Sequence, residues 1–434
     1  MREMKDSGIE WCGNIPINWE IHPLYYYFNE RKNRNFDLRE RNLLSLSYGN
    51  IIRKDINTTG GLLPASFNTY NIVKKHDIII RPTDLQNDKK SLRTGLVKEE
   101  IGIITSAYIA LKPRESVFSN YFHYLLHSYD VMKVFYNMGN GVRQGLNYSE
   151  FSKLMMIAPS LDEQRKIADF LDEKCAEIDA LTSDIQTQIE TLEEYKKSVI
   201  TEAVTKGLDP NVEMKDSGIE WIGKIPKSWP VIRLKYSSWL KGRIGWQGLR
   251  TDEFIEDEQK PYLITGTDFD NGYINWNTCV HISEERYMQD LAIHIKENDL
   301  LITKDGTIGK VAVAKNCPEK VSLNSGVFII RNTRNYKYND RYMYYLIQSE
   351  QFCKWFELSN SGNSTIRHLN QEKFYNFAFT YPAITEQTKI ADFLDQKCAE
   401  IDLTISEKQQ QLETLAEYKK SLIYEYVTGK REVA

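Results

Sequence analysis

The sequence predicts a mixed α/β (α+β) protein in which two variable domains are separated by a pair of long antiparallel helices, with an internal pseudo-twofold duplication. Three observations carry that expectation. The string MKDSGIEW stands at 4–11 and again, letter for letter, at 214–221. A second string, EQRKIADFLDEKCAEIDALT at 163–182, returns at 386–405 with 15 of 20 positions identical. Between these landmarks lie short β-rich runs bounded by Gly, Asp and Asn.

The first repeat extends over 4–20 and 214–230, with 12 of 17 positions shared. A further match joins 190–200 to 413–423 at 9 of 11 positions. A period this long signals a duplicated domain rather than a solenoid of short repeats. The chain therefore divides into a first domain at 1–158, a helix at 159–208, a second domain at 209–382 and a second helix at 383–434. A length of 434 residues suits that count, since domains run to roughly 100–200 residues each.

The helices follow from periodicity. Ile167, Leu171, Cys175, Ile178, Ile185, Ile189, Leu192 and Val199 recur at spacings of three, four or seven, the stripe of an amphipathic helix. Proline is absent from 160 to 209, and Gly207 offers a stop. Ile390, Leu394, Cys398, Ile401, Leu412, Leu415 and Leu422 repeat the stripe. A helix of this length with a narrow seam needs a partner, and a twofold relation between copies would set the two helices antiparallel. The seam weakens at 406–411, SEKQQQ.

The domains read as α/β. Strand-like runs include HDIII, IGIITSAYIAL, DLLIT, KVAVA and GVFII. Each domain then carries an aromatic helix, YFHYLLHSYDVMKVFY in the first and RYMYYLIQSEQFCKWF in the second.

Charge and cysteines narrow the function classes. The net charge of −4 hides a division: residues 1–158 carry 21 basic against 16 acidic side chains, while 159–208 carry 6 against 12. The acidic excess sits in the helices, so a domain can still present a basic face. The N-terminus is polar, and no apolar run approaches the ~18 residues of a membrane span. These features predict a cytoplasmic chain with no membrane partner. Six scattered cysteines without a CxxC read as free thiols. His123 and His127 are the nearest pair of metal-ligand types, and helical packing explains their spacing.

Polar loops supply the binding candidates. GNGVRQGLNYSEF at 139–151 aligns without gaps to GNSTIRHLNQEKF at 362–374. These loops carry Arg143, Gln144 and Asn147 in one copy and Arg367, His368 and Asn370 in the other. Arginine pairs with guanine or phosphate, and Gln or Asn with adenine. Turn chemistry explains the same composition, so both readings stay open. RPTDLQNDKKSLR at 81–93 adds Arg81, Lys89 and Arg93, and TKDGTIGK at 303–310 adds Lys304 and Lys310. KGRIGWQG at 241–248 is a third such loop. TKDGTIGK fails the spacing of a nucleotide P-loop.

Catalytic signatures are missing. The chain has no Pro-Pro dipeptide, no GxSxG, no HExxH and no glycine fingerprint opening a βαβ unit. The acidic pair and lysine of the 252–260 stretch is the kind of match that 27% charged residues produce by chance. The expectation is no catalytic residue, no metal site and no cofactor in this chain.

Taken together, DSGIEWIGKIPKSWPVIRL, NDLLITKDGTIGKVAVA, LNQEKFYNFAFTYPAITEQTKIADFLD and the repeated LETLEEYKKSVITEAVT resemble the specificity (S) subunit of Type I restriction–modification enzymes. The resemblance covers nearly the whole chain. It implies that each variable domain is a target recognition domain for one half of a bipartite, asymmetric site in double-stranded DNA. It implies that the helices set the spacer and dock two modification (methyltransferase) subunits. S-adenosylmethionine, ATP and magnesium would then belong to partner subunits, including restriction (endonuclease/translocase) subunits. The competing readings are a coiled-coil adaptor without sequence-specific DNA binding and a self-contained DNA methyltransferase or nuclease.

Overall fold

The structure is a computed structural model that describes residues 2–57, 64, 66–83, 85, 92–136, 138, 145–245, 248–333, 336–360 and 368–433. The chain forms two compact units. One comprises residues 1–186 with 410–434, and the other residues 187–409. Each unit holds a variable domain and a segment of both long helices.

The two predicted helices are Leu161–Lys206 and Ile384–Val427, of 46 and 44 residues. At 1.5 Å per residue they run roughly 65–70 Å. Each begins just past a proline whose carbonyl takes a side-chain amide from the first turn: Gln164 to Pro159 and Gln387 to Pro382. Gly207 and Gly429 lie just beyond the other ends, at φ of +78° and +71°. That left-handed conformation favours glycine as a helix stop.

Inside each unit the two helix segments run antiparallel. In the first unit Asp179 meets Lys419 at 2.6 Å, and nine residues earlier Phe170 packs against Tyr426, seven residues later. In the second unit Lys196 meets Asp402 at 2.6 Å, while Gln188 bonds to Lys408. The predicted seam is the buried face: Ile167, Leu171, Cys175, Ile178, Ile185 and Ile189 on one helix, and Ile390, Leu394, Cys398, Ile401 and Leu422 on the other. Leu192, Val199, Leu412 and Leu415 are only half-buried. The second helix buries no residue from 402 to 421, so the weak seam read at 406–411 is wider than the sequence indicated.

In the first unit, one antiparallel sheet orders its strands Phe28–Glu30, Ile109–Pro113, Ile78–Ile80 and Thr94–Leu96. A second orders Asn50–Lys54, Leu43–Ser47, Ile101–Ile104 and Asn71–Lys74. Strand alternation joins the two sheets: Ile78 and Ile80 enter the large core shared with the helices, whereas Ile79 enters a smaller core with Leu44, Val73 and Ile104. The run IGIITSAYIAL is therefore two strands, not one. Tyr108 N–H closes a turn on the Thr105 carbonyl, and the halves enter different sheets.

The second unit repeats the plan with a six-stranded sheet. Its order is Ser238–Gly242, Val327–Asn332, Leu300–Thr303, Val311–Val313, Tyr273–Ile274 and Phe269–Asp270. A three-stranded sheet of Val280–His281, Tyr262–Ile264 and Val321–Leu323 accompanies it. Leu300 and Ile302 face the helix-bearing core, and Leu301 faces the smaller one.

The aromatic helix of the first domain spans Ser119–Val131. Its counterpart is two helices, Asp340–Gln348 and Glu350–Ser359. Ser349 between them is extended, its hydroxyl donating back to the Leu346 carbonyl at 2.6 Å. The competing hydrogen bond of a serine side chain ends the first helix there.

The duplicated heads fold alike. Met4–Asp6 pairs with Asn14–Pro16, and Met214–Asp216 with Lys224–Pro226. The buried indoles that follow donate to the first turn of a long helix in the same unit, Trp19 to Glu163 at 3.3 Å and Trp229 to Glu386 at 3.0 Å.

Candidate nucleic-acid interface

In the second unit, four polar loops meet at the end of the strand Leu300–Thr303. The Thr303 hydroxyl shapes the first of them: it donates to the Thr307 carbonyl at 2.6 Å and accepts from Lys310 N–H at 3.0 Å. Gly306 and Gly309 take φ of +69° and +86° within that turn. Lys304 N–H reaches the Gly326 carbonyl, and Leu369 N–H reaches the Lys304 carbonyl, both at 2.9 Å. His368 Nδ1 faces the Asp305 carboxylate at 2.5 Å. Asn324 then ties in the fourth loop through reciprocal bonds with the Leu249 backbone at 3.0 and 3.2 Å. The 303–310, 324–326 and 368–370 segments and Leu249 thus form one rim.

Side-chain environments differ along that rim. Lys304 is half-buried, with its ammonium 4.8 Å from the centre of the Phe328 ring. Burial pushes its pKa down, opposed by the nearby Asp305 charge. Lys310 is exposed. Asn370 caps the short helix Gln371–Tyr375, accepting from Glu372 and Lys373 N–H. Arg243 is buried and donates to the Leu323 carbonyl, Ser322 and Gln289. It anchors the end of the strand Ser238–Gly242 from within.

The first unit builds the same corner with different residues. Leu146 N–H reaches the Pro82 carbonyl at 2.9 Å, as Leu369 reaches Lys304. Asn147 caps Tyr148–Phe151 by accepting from Glu150 N–H. A cleft of about 370 Å³ opens beside it, lined by Lys32, Pro82, Ser106, Tyr108, Asn147 and Ser149 among others. Arg81 sits at the edge, its N–H on the Arg93 carbonyl.

The structure thus brings Lys304, Lys310, His368 and Asn370 together in one unit, and Arg81 and Asn147 in the other. Arg93 departs from its reading as a DNA contact. It is fully buried, donates to the Thr83 carbonyl at 2.7 Å and lies 5.8 Å from the Tyr136 ring. A guanidinium enclosed this way holds the backbone at Thr83. Asn147 and Asn370 spend their side-chain oxygens on helix caps, the turn-chemistry alternative. Arg143, Gln144, Lys89 and Arg367 lie outside the described residues. Pro82, Asn324, Gly326 and Arg243 join these corners without having been singled out. Aligning the strand III at 78–80 with LLI at 300–302 would have set Pro82 opposite Lys304.

Among the described residues, no group of three or more His, Cys, Asp or Glu is placed to hold a metal ion. Among them, too, no helix is long and apolar enough to cross a membrane. The six cysteines form no disulfide.

Comparison with known proteins agrees with this architecture. The chain matches the family model of the Type I restriction modification DNA specificity domain over residues 46–191 and 245–414. It is 26% identical over 342 residues to the Type I restriction enzyme MjaVIII specificity subunit of Methanocaldococcus jannaschii, covering 76% of this chain and 75% of the relative. It is 23% identical over 252 residues to the Type I restriction enzyme EcoBI specificity subunit of Escherichia coli, covering 56% of this chain and 51% of that one. Among solved structures, a chain from a study of complex assembly and conformational transition of the type I R-M system gives a TM-score of 0.72 at 14% identity, covering 96% of this chain and 99% of that chain. The HsdS subunit from Thermoanaerobacter tengcongensis gives 0.51 at 14% identity, covering 96% and 98%. At such identities the structural likeness speaks for the fold.

Proposed function

This chain belongs to the Type I restriction modification DNA specificity domain family, and we propose that it is the sequence-reading, non-catalytic subunit of a Type I restriction–modification complex. Each variable domain reads one half of a bipartite, asymmetric site in double-stranded DNA. The long helices dock two modification subunits, which bring S-adenosylmethionine to a target adenine. Restriction subunits, where they join, supply ATP- and magnesium-dependent cleavage. The work is done in the cytoplasm, where chromosomal DNA is accessible.

One observation supports this reading above the others: the same backbone frame carries unlike side chains. Leu146 on Pro82 and Leu369 on Lys304 are the same contact at the same corner, yet one corner offers a proline and the other an ammonium. Two copies of one fold with different rims suit a site whose halves differ. A symmetric pair of identical domains would favour a palindrome.

The test is to map methylated adenines in DNA from cells with and without this chain. The reading requires a two-part motif that disappears with the chain. An unchanged methylation pattern, or a single continuous palindrome, would contradict it.

A further inference from the structure

The turn at 304–310 has donors that meet no acceptor among the described residues. Four successive main-chain N–H groups, those of Asp305, Gly306, Thr307 and Ile308, reach no acceptor among the described residues. The Lys304 ammonium sits half-buried on Phe328 with no hydrogen-bonded acceptor there either. The exposed Lys310 ammonium is likewise unpaired among the described residues. The one carboxylate in the turn, Asp305, is turned onto His368. A Cβ built on Gly306 would meet nothing within 4 Å, so the outside of the turn is open to close approach.

We propose that this turn is a cradle for a single DNA phosphodiester, holding the second half-site in place without reading its bases. The proposal rests on the specificity-subunit reading and names which part of that surface takes the backbone. Successive N–H groups in a glycine turn form a concave anion site, and two lysines at its ends supply the charge. Main-chain donors present one pattern to every sequence, so they position rather than specify. A nucleotide polyphosphate is a poorer match. The strand Val311–Val313 follows the turn, where a phosphate-binding loop of that kind runs into a helix. In the first unit Pro82 occupies the corner position of Lys304, so that lysine's contribution belongs to the second half-site.

The experiment uses the full chain with Lys304→Met, which keeps the stem on Phe328, and Lys310→Gln, an exposed change that leaves the turn's backbone bonds intact. Affinity is measured from 50 to 200 mM salt on a duplex carrying the mapped site and on a scrambled duplex. Each variant should weaken both duplexes by the same factor. The slope of log affinity against log salt should become shallower in each variant, and by about 0.9 in the double variant, the counterion release of one neutralised phosphate. Loss confined to the mapped site would make Lys304 a base reader and overturn the cradle, as would an unchanged slope in both variants. If the unaltered chain fails to distinguish the two duplexes, the specificity reading fails, and the slopes still decide the cradle.

Discussion

The hydroxyl of Tyr121 donates to the carbonyl of Val427 at 3.0 Å, across 306 residues of sequence. In the other unit Tyr342 reaches the carbonyl of Val204 at 3.2 Å. Both tyrosines also bond to the carbonyl of the last domain strand, Ile157 at 3.2 Å and Thr380 at 3.0 Å. The end of each long helix is thus built into a domain core. Leu422, Ile423 and Val427 enter the first core, and Ile200, Ala203 and Val204 the second. Tyr121→Phe should destabilise the first unit by about 1–2 kcal/mol, because a buried carbonyl loses a donor. Removing 422–434 should cost on the order of 5 kcal/mol or more, since three buried aliphatic side chains go with it. Hydrogen exchange resolved by peptide checks both, with protection lost in residues 119–131 and kept in 340–348.

Counted from these tyrosines, His123 and His127 correspond to Tyr344 and Gln348. Burial, with the charges of His127 and Lys98, pushes His123 down to about 3. Burial, with Lys419 and Lys133, pushes His127 down to about 4. The unfolded imidazoles take up protons near 6.5, so their contribution is whole above that pH and is lost as pH falls from about 6.5 toward 4. Asp77 and Asp130, whose carboxyls burial pushes up, offset part of the loss. The second unit behaves oppositely. Burial, with the charge of Asp299, pushes Asp340 up to about 6, so acidification through that range relieves a penalty. Exchange protection normalised for intrinsic rate should therefore fall in 119–131 and rise in 340–348 between pH 6.5 and 4. His127→Gln should flatten the first response.

Glycines at positive φ carry unequal demands. A Cβ on Gly429 would lie 2.5 Å from Pro16 and 3.0 Å from Trp19, at a φ of +71°. On Gly8, at +65°, it would meet nothing within 4 Å. Gly8→Ala should cost only the strain of a left-handed residue, about 1 kcal/mol. Gly429→Ala adds a clash with a proline ring and a buried indole, for about 2–4 kcal/mol in all. Thermal melting of the two variants checks the order.

The carboxylate that binds each aromatic helix to its long helix has different company in the two units. Asp172 accepts from Asn120 at 3.0 Å and Tyr124 at 2.7 Å, both neutral. Asp395 accepts from Tyr345 at 2.7 Å and pairs with Arg341, whose guanidinium lies 4.3 Å from the Tyr344 ring. Asp395→Asn leaves that cation uncompensated and should cost about 2–3 kcal/mol, against about 1 kcal/mol for Asp172→Asn. Urea unfolding followed by exchange in each unit separates the two.

Much of this was legible in the residues themselves. Identical strings 210 positions apart had to fold identically, and Trp19 and Trp229 do. A stripe such as Ile167, Leu171 and Cys175 could only be the buried face of a helix, because side-chain direction along a helix follows from its period. Strand alternation and loop chemistry likewise depend on neighbours in sequence.

What the chain order concealed was which distant segments close each core. Nothing local to Tyr121 points to Val427, and nothing local to Leu146 points to Pro82. Arg93 shows the cost of that blindness. In sequence it stands in a basic loop beside Lys89 and Lys90, yet packing encloses it against Tyr136 and the Thr83 carbonyl. Local pattern sets which face of an element is apolar, but burial of any one side chain is decided by what arrives from elsewhere in the chain. That is why the helices and the duplication could be read from sequence, whereas the rim that would hold DNA had to be assembled by the fold.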